Sequence, residues 1–427
     1  MLRFACILMV AAACAAQDHA ERAVQFVQQG DLRAAESELR QALEAAPNDP
    51  ALLTSLGGIL GMQGKLEQAD VYLAKAVKLN PRDAAARRNL AANQWQLGRL
   101  QEAQANLDAL LRANPRDPIA TYLLGMVSER EAKYSRSIEL LESMPEIAAR
   151  QPEALVALAS SYYHTGRPRE GAAQLKTLLS RSAKPEVFFM AGRVAIAAHD
   201  NALAEHLLSA GIATGHAGEP AYLLLCRLLT DRAAYDPALE IAKQAVKAFP
   251  ASHEALETEA SIDMKLNYFT EAAASFKKAV SLHPSAGNQR DLALAEWRAG
   301  QKQQSTADFD LALRKYPHDP VLPVVYGTLL LEDGSPASRT RAIELFKRVI
   351  AAGDSSAEAR YQLANIDLED GKLESALQHL TAAIKLDPDA SRLHFALSRV
   401  YRRLGRETDA NAELAVYQKL KSAEPHP

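Results

Sequence analysis

A spacing of 34 residues repeats along most of this chain and constrains its fold more than any other feature. Glycines that interrupt helical patterns keep the spacing, and so do prolines. The glycines are Gly30, Gly64 and Gly98, then Gly371 and Gly405, and the prolines are Pro47, Pro81 and Pro115. Two residue classes with one period indicate an array of similar units, none of which is stable alone. The length of 427 residues, which by itself predicts about three domains, is better explained by one long array.

Residues 50–83 show what one unit contains. Leu56 and Leu60 fall on one face of a first predicted helix, because they are spaced four residues apart. Gly64 can end that helix in a left-handed conformation at little steric cost. A second apolar pattern runs from residue 66 until Pro81, which cannot continue a helix interior. The unit is therefore predicted to be an antiparallel pair of helices.

Small residues mark where the two helices of a pair approach each other. Gly57 and Ala69 take these places in the unit at 50–83. Cys226 stands in the same small-residue slot of a later unit, so we expect it to be a buried structural thiol rather than a nucleophile. The abundance of alanine follows from the same packing requirement.

The unit resembles the tetratricopeptide repeat. The residues that carry the resemblance are Leu53, Leu56-Gly57, Leu60, Gly64, Ala69, Ala76 and Pro81, and again Leu363-Ala364, Gly371, Ala376, Ala383 and Pro388. The resemblance implies an all-α fold, a right-handed α-solenoid superhelix of antiparallel helix pairs. About twelve units fit, beginning near residues 16, 50, 84, 118, 152, 185, 219, 253, 286, 320, 357 and 391.

Some units depart from the pattern and suggest how the array is divided. Pro145 falls where a second helix should continue, so that helix is predicted to be short or kinked. His199 takes the glycine slot of its unit. We expect N-terminal repeats over 17–151, more divergent central repeats over 152–218, and C-terminal repeats with a capping helix over 219–421, followed by a tail at 422–427.

Residues 1–16 are predicted to be an export signal. A basic start precedes an apolar run from Phe4 to Ala16, which is shorter than the about 20 residues that a membrane-spanning helix needs. The small-residue exit is typical of a secretory signal peptide. The sequence Ala11-Ala12-Ala13-Cys14 also resembles a lipobox, with Cys14 as the lipidation candidate, so the chain is expected to be periplasmic or an outer-membrane-anchored lipoprotein of a bacterium.

The composition and the motifs exclude most chemical functions. A formal net charge of −3 argues against binding nucleic acid through a general basic field. No two of the 11 histidines lie three or four residues apart, and no nucleophile elbow or dinucleotide fingerprint is present. We read the acidic residues as solvent-exposed. The sequence thus predicts a protein that is not an enzyme and has no catalytic residue, cofactor or metal site.

The remaining question is what the array binds. In tetratricopeptide arrays first helices line the concave surface, and this resemblance implies a groove in which aromatic and Arg side chains contact a partner, as at interface hot spots. Our candidate residues are Arg88, Trp95, Tyr122, Arg130, Tyr163, His164, Arg193, Arg227, Trp297, Tyr361, Asn365 and Arg399. An alternative is that several aromatic residues of the first helices, above all Tyr122 and the neighbouring candidate Phe189, pack between repeats.

We interpret the chain as a non-catalytic scaffold that binds protein or peptide partners outside the cytoplasm, in a setting such as envelope, secretion or pilus assembly. The alternative is a glycan-binding accessory protein of exopolysaccharide synthesis or export, in which sugars stack on the aromatic rings. A lipid on Cys14 is the only membrane attachment we expect.

Overall fold

The structure is a computed structural model that describes residues 16–181, 183–353 and 356–423. Within these ranges all regular secondary structure is helical, as predicted. Cys14 and most of the predicted export signal lie outside the described residues. None of the described helices combines the length and the apolar character that crossing a membrane requires.

The helices alternate between first and second members of a pair. The first helices are α1 (16–28), α3 (Pro50–Met62), α5 (Ala84–Gln96), α7 (Pro118–Arg130), α10 (Pro152–His164), α12 (Pro185–Ala197), α14 (Glu219–Asp231), α16 (His253–Lys265), α18 (Ala286–Arg298), α20 (Val321–Asp333), α22 (Ala357–Glu369) and α24 (Ser391–Arg403). The second helices are α2 (Leu32–Ala45), α4 (Leu66–Leu79), α6 (Leu100–Ala113), α8 (Tyr134–Glu142), α11 (Pro168–Leu179), α13 (Asn201–Ala213), α15 (Tyr235–Ala248), α17 (Phe269–Leu282), α19 (Lys302–Lys315), α21 (Pro336–Ala351), α23 (Leu373–Leu386) and α25 (Glu407–Ala423). First helices begin within a residue of the predicted unit starts.

One additional helix interrupts the alternation. Helix α8 ends at Glu142, and Pro145 begins a six-residue helix, α9 (Pro145–Arg150). The second helix of this unit is therefore short, which confirms the prediction made from Pro145.

The chain forms two compact units. Unit 1 is Met1–Ala221 and unit 2 is Tyr222–Pro427. In each unit, consecutive helices pack on each other, and the apolar side chains between successive pairs form the core. The predicted boundaries at residues 151 and 218 both stay predictions.

Side-chain caps fix where several first helices begin. Asp49 Oδ1 accepts hydrogen bonds from the backbone N–H groups of Ala51 and Leu52 at 2.8 and 3.2 Å, and Pro50 takes the first helical position. Asp83 and Asp117 cap α5 and α7 in the same way. Each cap supplies an acceptor to N–H groups that have no partner inside the helix.

Close contact between the two helices of a pair explains the small-residue slot. A Cβ atom added to Gly57 would lie 2.5 Å from Leu73 Cγ, so a larger residue there would force Leu73 to move. Ala69 is fully buried on the opposite helix. Cys226 is also fully buried, its Sγ lies 3.5 Å from the Ala238 carbonyl oxygen, and burial raises the pKa of its thiol to about 12. The prediction of a structural thiol is confirmed.

Three acidic side chains contradict the prediction that the carboxylates face solvent. Asp117, Asp263 and Glu296 are only 5%, 3% and 4% exposed. Burial raises the pKa of Asp263 to about 6 and, together with a hydrogen bond to Asp308, that of Glu296 to about 8. Glu296 is therefore largely protonated at neutral pH, because desolvation disfavours its charged form more than the nearby Lys277 favours it.

The turn inside each pair requires a left-handed backbone. Gly98 has φ +77°, and the N–H of Arg99 donates to the Gln94 carbonyl at 2.8 Å, which closes the helix end. The same turn is occupied by non-glycine residues in other repeats, including Ala132 at φ +59° and His199 at φ +60°. A side chain in this conformation costs about 1–2 kcal/mol, partly offset by the greater unfolded-state entropy of glycine.

Opposite changes at two neighbouring turns test this cost. Gly98→Ala should lower the free energy of unfolding of its region by about 1 kcal/mol, and Ala132→Gly should raise it by about 0.5–1 kcal/mol. A Cβ at Gly98 would meet no atom within 4 Å, so only backbone conformation changes. Thermal unfolding midpoints should shift in opposite directions, and shifts of the same sign would contradict the account.

Candidate partner-binding groove

First helices of four consecutive pairs line a groove of ≈ 980 Å³ in unit 1. We call it the α5–α12 groove, because its lining side chains come mainly from α5, α7, α10 and α12. Its apolar part consists mainly of Met126, Val156, Met190 and Val194. Trp95, Arg130, Tyr163, His164 and Arg193, all proposed from the sequence, line the same groove. The structure thus brings together five candidates that lie in four consecutive repeats of the sequence.

Trp95 and Arg130 form one side of the groove. The guanidinium carbon of Arg130 lies 4.6 Å from the centre of the Trp95 ring, and Arg130 Nη1 donates to the Trp95 carbonyl oxygen at 2.9 Å. The ring also packs against the cores beneath α5 and α7. The indole Nε1 is buried and has no hydrogen-bond partner within the described residues.

Tyr163 and His164 line the groove at the end of α10. The His164 ring stacks on Tyr134 with 4.1 Å between centroids, and its Nδ1 lies 2.8 Å from the Ser160 carbonyl oxygen. These contacts fix the orientation of the imidazole. Burial raises the pKa of Tyr163, and its hydroxyl oxygen is a second buried atom that finds no partner in the described part of the chain.

Charged side chains flank the apolar surface. Arg193 is exposed on α12 with its guanidinium carbon 5.9 Å from the Phe189 ring centre. Glu129 accepts a hydrogen bond from the Ser160 hydroxyl at 2.7 Å, and Glu153 also lines the groove. The arrangement suits a peptide whose apolar side chain enters the groove while its backbone meets polar atoms.

Two other unit 1 candidates make contacts outside this groove. Arg88 Nη2 pairs with the buried cap residue Asp117 at 2.9 Å. Tyr122 is partly buried between the cores of two neighbouring repeats, and burial raises the pKa of its hydroxyl to about 12. Tyr122 therefore packs between repeats, which was the alternative reading of the sequence.

In unit 2 the candidates are divided among different surroundings. Tyr361, Asn365 and Arg399 line a smaller groove of ≈ 630 Å³. Arg227 is exposed on α14 and lines neither groove. Trp297 is 7% exposed and packs in the core with Phe309 and Tyr326, so its ring is not available to a partner. This last placement corrects the prediction that Trp297 lies on the exposed face.

The tetratricopeptide repeat model matches five segments, at residues 21–74, 60–103, 89–152, 257–320 and 361–425. Together these segments span more than half of the chain. The chain belongs to the tetratricopeptide repeat family. Such repeats are scaffolds that bind protein partners, and their fold is typically non-catalytic.

Solved structures with related helical arrays are only distantly similar. Yeast Tom70 is 15% identical, with 95% of this chain and 92% of Tom70 covered and a TM-score of 0.45. A tetratricopeptide repeat protein from Parabacteroides merdae is 20% identical over 66% of this chain and 98% of its own, with a TM-score of 0.36. The MamA protein (41-end) of Desulfovibrio magneticus is 20% identical over 39% and 93%, with a TM-score of 0.35. Among curated proteins, none matches this chain significantly in sequence.

Proposed function

We propose that this protein is a non-catalytic scaffold that holds a segment of a partner protein in the α5–α12 groove. The observation that carries the proposal is the groove itself, in which the apolar side chains of Met126, Val156 and Met190 lie beside aromatic and Arg side chains from four first helices. Aromatic and Arg side chains are the types enriched at interface hot spots. An apolar side chain of a bound peptide would cover the apolar part of the groove, and its backbone carbonyls would meet Arg130 and Arg193.

The groove supports a peptide better than a glycan, the alternative raised by the sequence. Sugars need an open aromatic face on which to stack. One face of the Trp95 ring carries the Arg130 guanidinium, and the ring also contacts the core. Met126 and Met190 add adaptable apolar surface that suits a protein side chain.

A charge placed in the groove tests this function. Met190 lies in the α5–α12 groove and is 41% exposed, so Met190→Asp should fold normally while disfavouring an apolar ligand. Crosslinking and affinity capture from native cells, quantified by mass spectrometry, should recover at least about tenfold less partner with this variant, the loss typical of one interface hot spot.

Met62→Asp is the matched control. Met62 is 65% exposed at the end of α3 and does not line the groove. It should retain the partners of the unsubstituted chain. Equal recovery with both variants would show that the partner binds elsewhere, and circular dichroism would verify that both variants are folded.

We also propose that the scaffold acts outside the cytoplasm, in assembly of envelope, secretion or pilus machinery. The support is the apolar segment from Phe4 to Ala16 with its small-residue exit. We favour protein–protein assembly at the envelope over polysaccharide export, because Arg130 covers one face of the Trp95 ring and the ring also contacts the core, which leaves a sugar no open face to stack on.

Fractionation of native cells tests the location. The chain should be recovered outside the cytoplasm, and a palmitate label that Cys14→Ser abolishes would support the lipoprotein interpretation. Export without label would support cleavage after Ala15 or Ala16 and end the lipoprotein interpretation. Retention of the chain with its N-terminus intact in the cytoplasm would contradict the proposed location.

A further inference from the structure

We propose that His253, Glu257 and His283 form a binding site for a divalent transition metal, with Zn²⁺ as the ion that fits best. One donor atom from each side chain lies within 4.8 Å of the other two. His253 begins α16, Glu257 follows one turn later, and His283 comes directly after α17. Two imidazoles and one carboxylate are a donor set that zinc favours.

His253 and Glu257 already have the spacing of two ligands on one ion. His253 Nδ1 and Glu257 Oε1 are 3.0 Å apart. Ligands at about 2.0–2.1 Å from a zinc ion, with bond angles between 90° and tetrahedral, lie roughly 3 Å from each other. The two side chains are four residues apart on α16, so the helix itself fixes this spacing.

Two neighbouring side chains, Glu254 and Asn288, contact these ligands in the way that outer-shell residues orient metal ligands. The other imidazole nitrogen of His253, Nε2, lies 3.2 Å from a carboxylate oxygen of Glu254. Asn288 Nδ2, from the buried start of α18, donates to Glu257 Oε1 at 2.6 Å. A carboxylate behind a histidine and an amide behind a carboxylate orient the donor atoms and raise metal affinity.

His283 completes the site by turning its ring. In the structure the rings of His253 and His283 stack, with 4.2 Å between centroids and 19° between planes. A metal binds in the plane of an imidazole, so stacked rings cannot share one ion until one of them rotates. His283 is exposed at a helix end, where such a rotation is not blocked by a core. Three protein ligands leave the fourth position to water.

The three ligands come from two helices of one pair: His253 and Glu257 lie on α16, and His283 directly follows α17. An ion there would tie the start of α16 to the end of α17, and through Asn288 to α18 of the next pair. Zinc binding should therefore raise the thermal unfolding temperature of the protein, because the ion binds the folded chain and not the unfolded one.

Equilibrium dialysis of the full chain against Zn²⁺ tests the site, with protein prepared without a polyhistidine tag. One ion should bind per chain, and His283→Gln should weaken the affinity at least tenfold. His318→Gln removes another exposed histidine, in the following connection between helices, and should leave zinc binding unchanged. Mg²⁺, which prefers an all-oxygen shell, should not compete.

Cobalt provides a readout of geometry. Co²⁺ added to the unsubstituted chain should give the visible absorption of a four-coordinate ion, and His283→Gln should abolish it. Glu254→Gln should weaken binding about 10–100-fold and keep the spectrum, because Glu254 positions a ligand without being one. Failure of the unsubstituted chain to bind zinc, or equal binding by His283→Gln, would overturn the proposal. Neither result depends on the α5–α12 groove.

Discussion

Everything else in this structure depends on how closely the two helices of each pair approach. At Gly57 the backbone of the first helix lies so near Leu73 that a single Cβ atom would force Leu73 to move. Leu73 is buried as a result, and burial of one such side chain contributes about 1.5–3 kcal/mol. The same slot holds Cys226 in another repeat, where the thiol is fully buried. A pair of helices packed this closely cannot bury all of its apolar side chains within itself, so the next pair must cover the remaining apolar surface.

The sequence predicts the helices well because the constraints that define them are local. A cap such as Asp49, a left-handed turn such as Gly98 and a small slot such as Gly57 each act within one repeat. They recur at a fixed spacing, so the unit starts could be read to within a residue. The short second helix near Pro145 could be predicted for the same reason, because a proline disrupts the helix in which it lies.

Contacts between repeats could not be predicted from local sequence patterns. Trp95 and Trp297 occupy the same place in their first helices, yet one lines a groove and the other is in the core. The following repeat determines whether the ring is accessible. Arg130 lies over Trp95, whereas Tyr326 and its neighbours enclose Trp297. The burial of Glu296 and the meeting of His253 with His283 likewise depend on the neighbouring helices. A search for histidines within one helix misses a pair that is 30 residues apart.

The central claim is that partners bind the first-helix face of unit 1, and site-specific photocrosslinking in native cells tests it most directly. A photoreactive residue at Ala197 would lie in the α5–α12 groove, and one at the exposed Val71 would lie on a second helix. We expect a discrete crosslinked partner from position 197 and none from position 71. The same partner captured from position 71, with none from position 197, would contradict it.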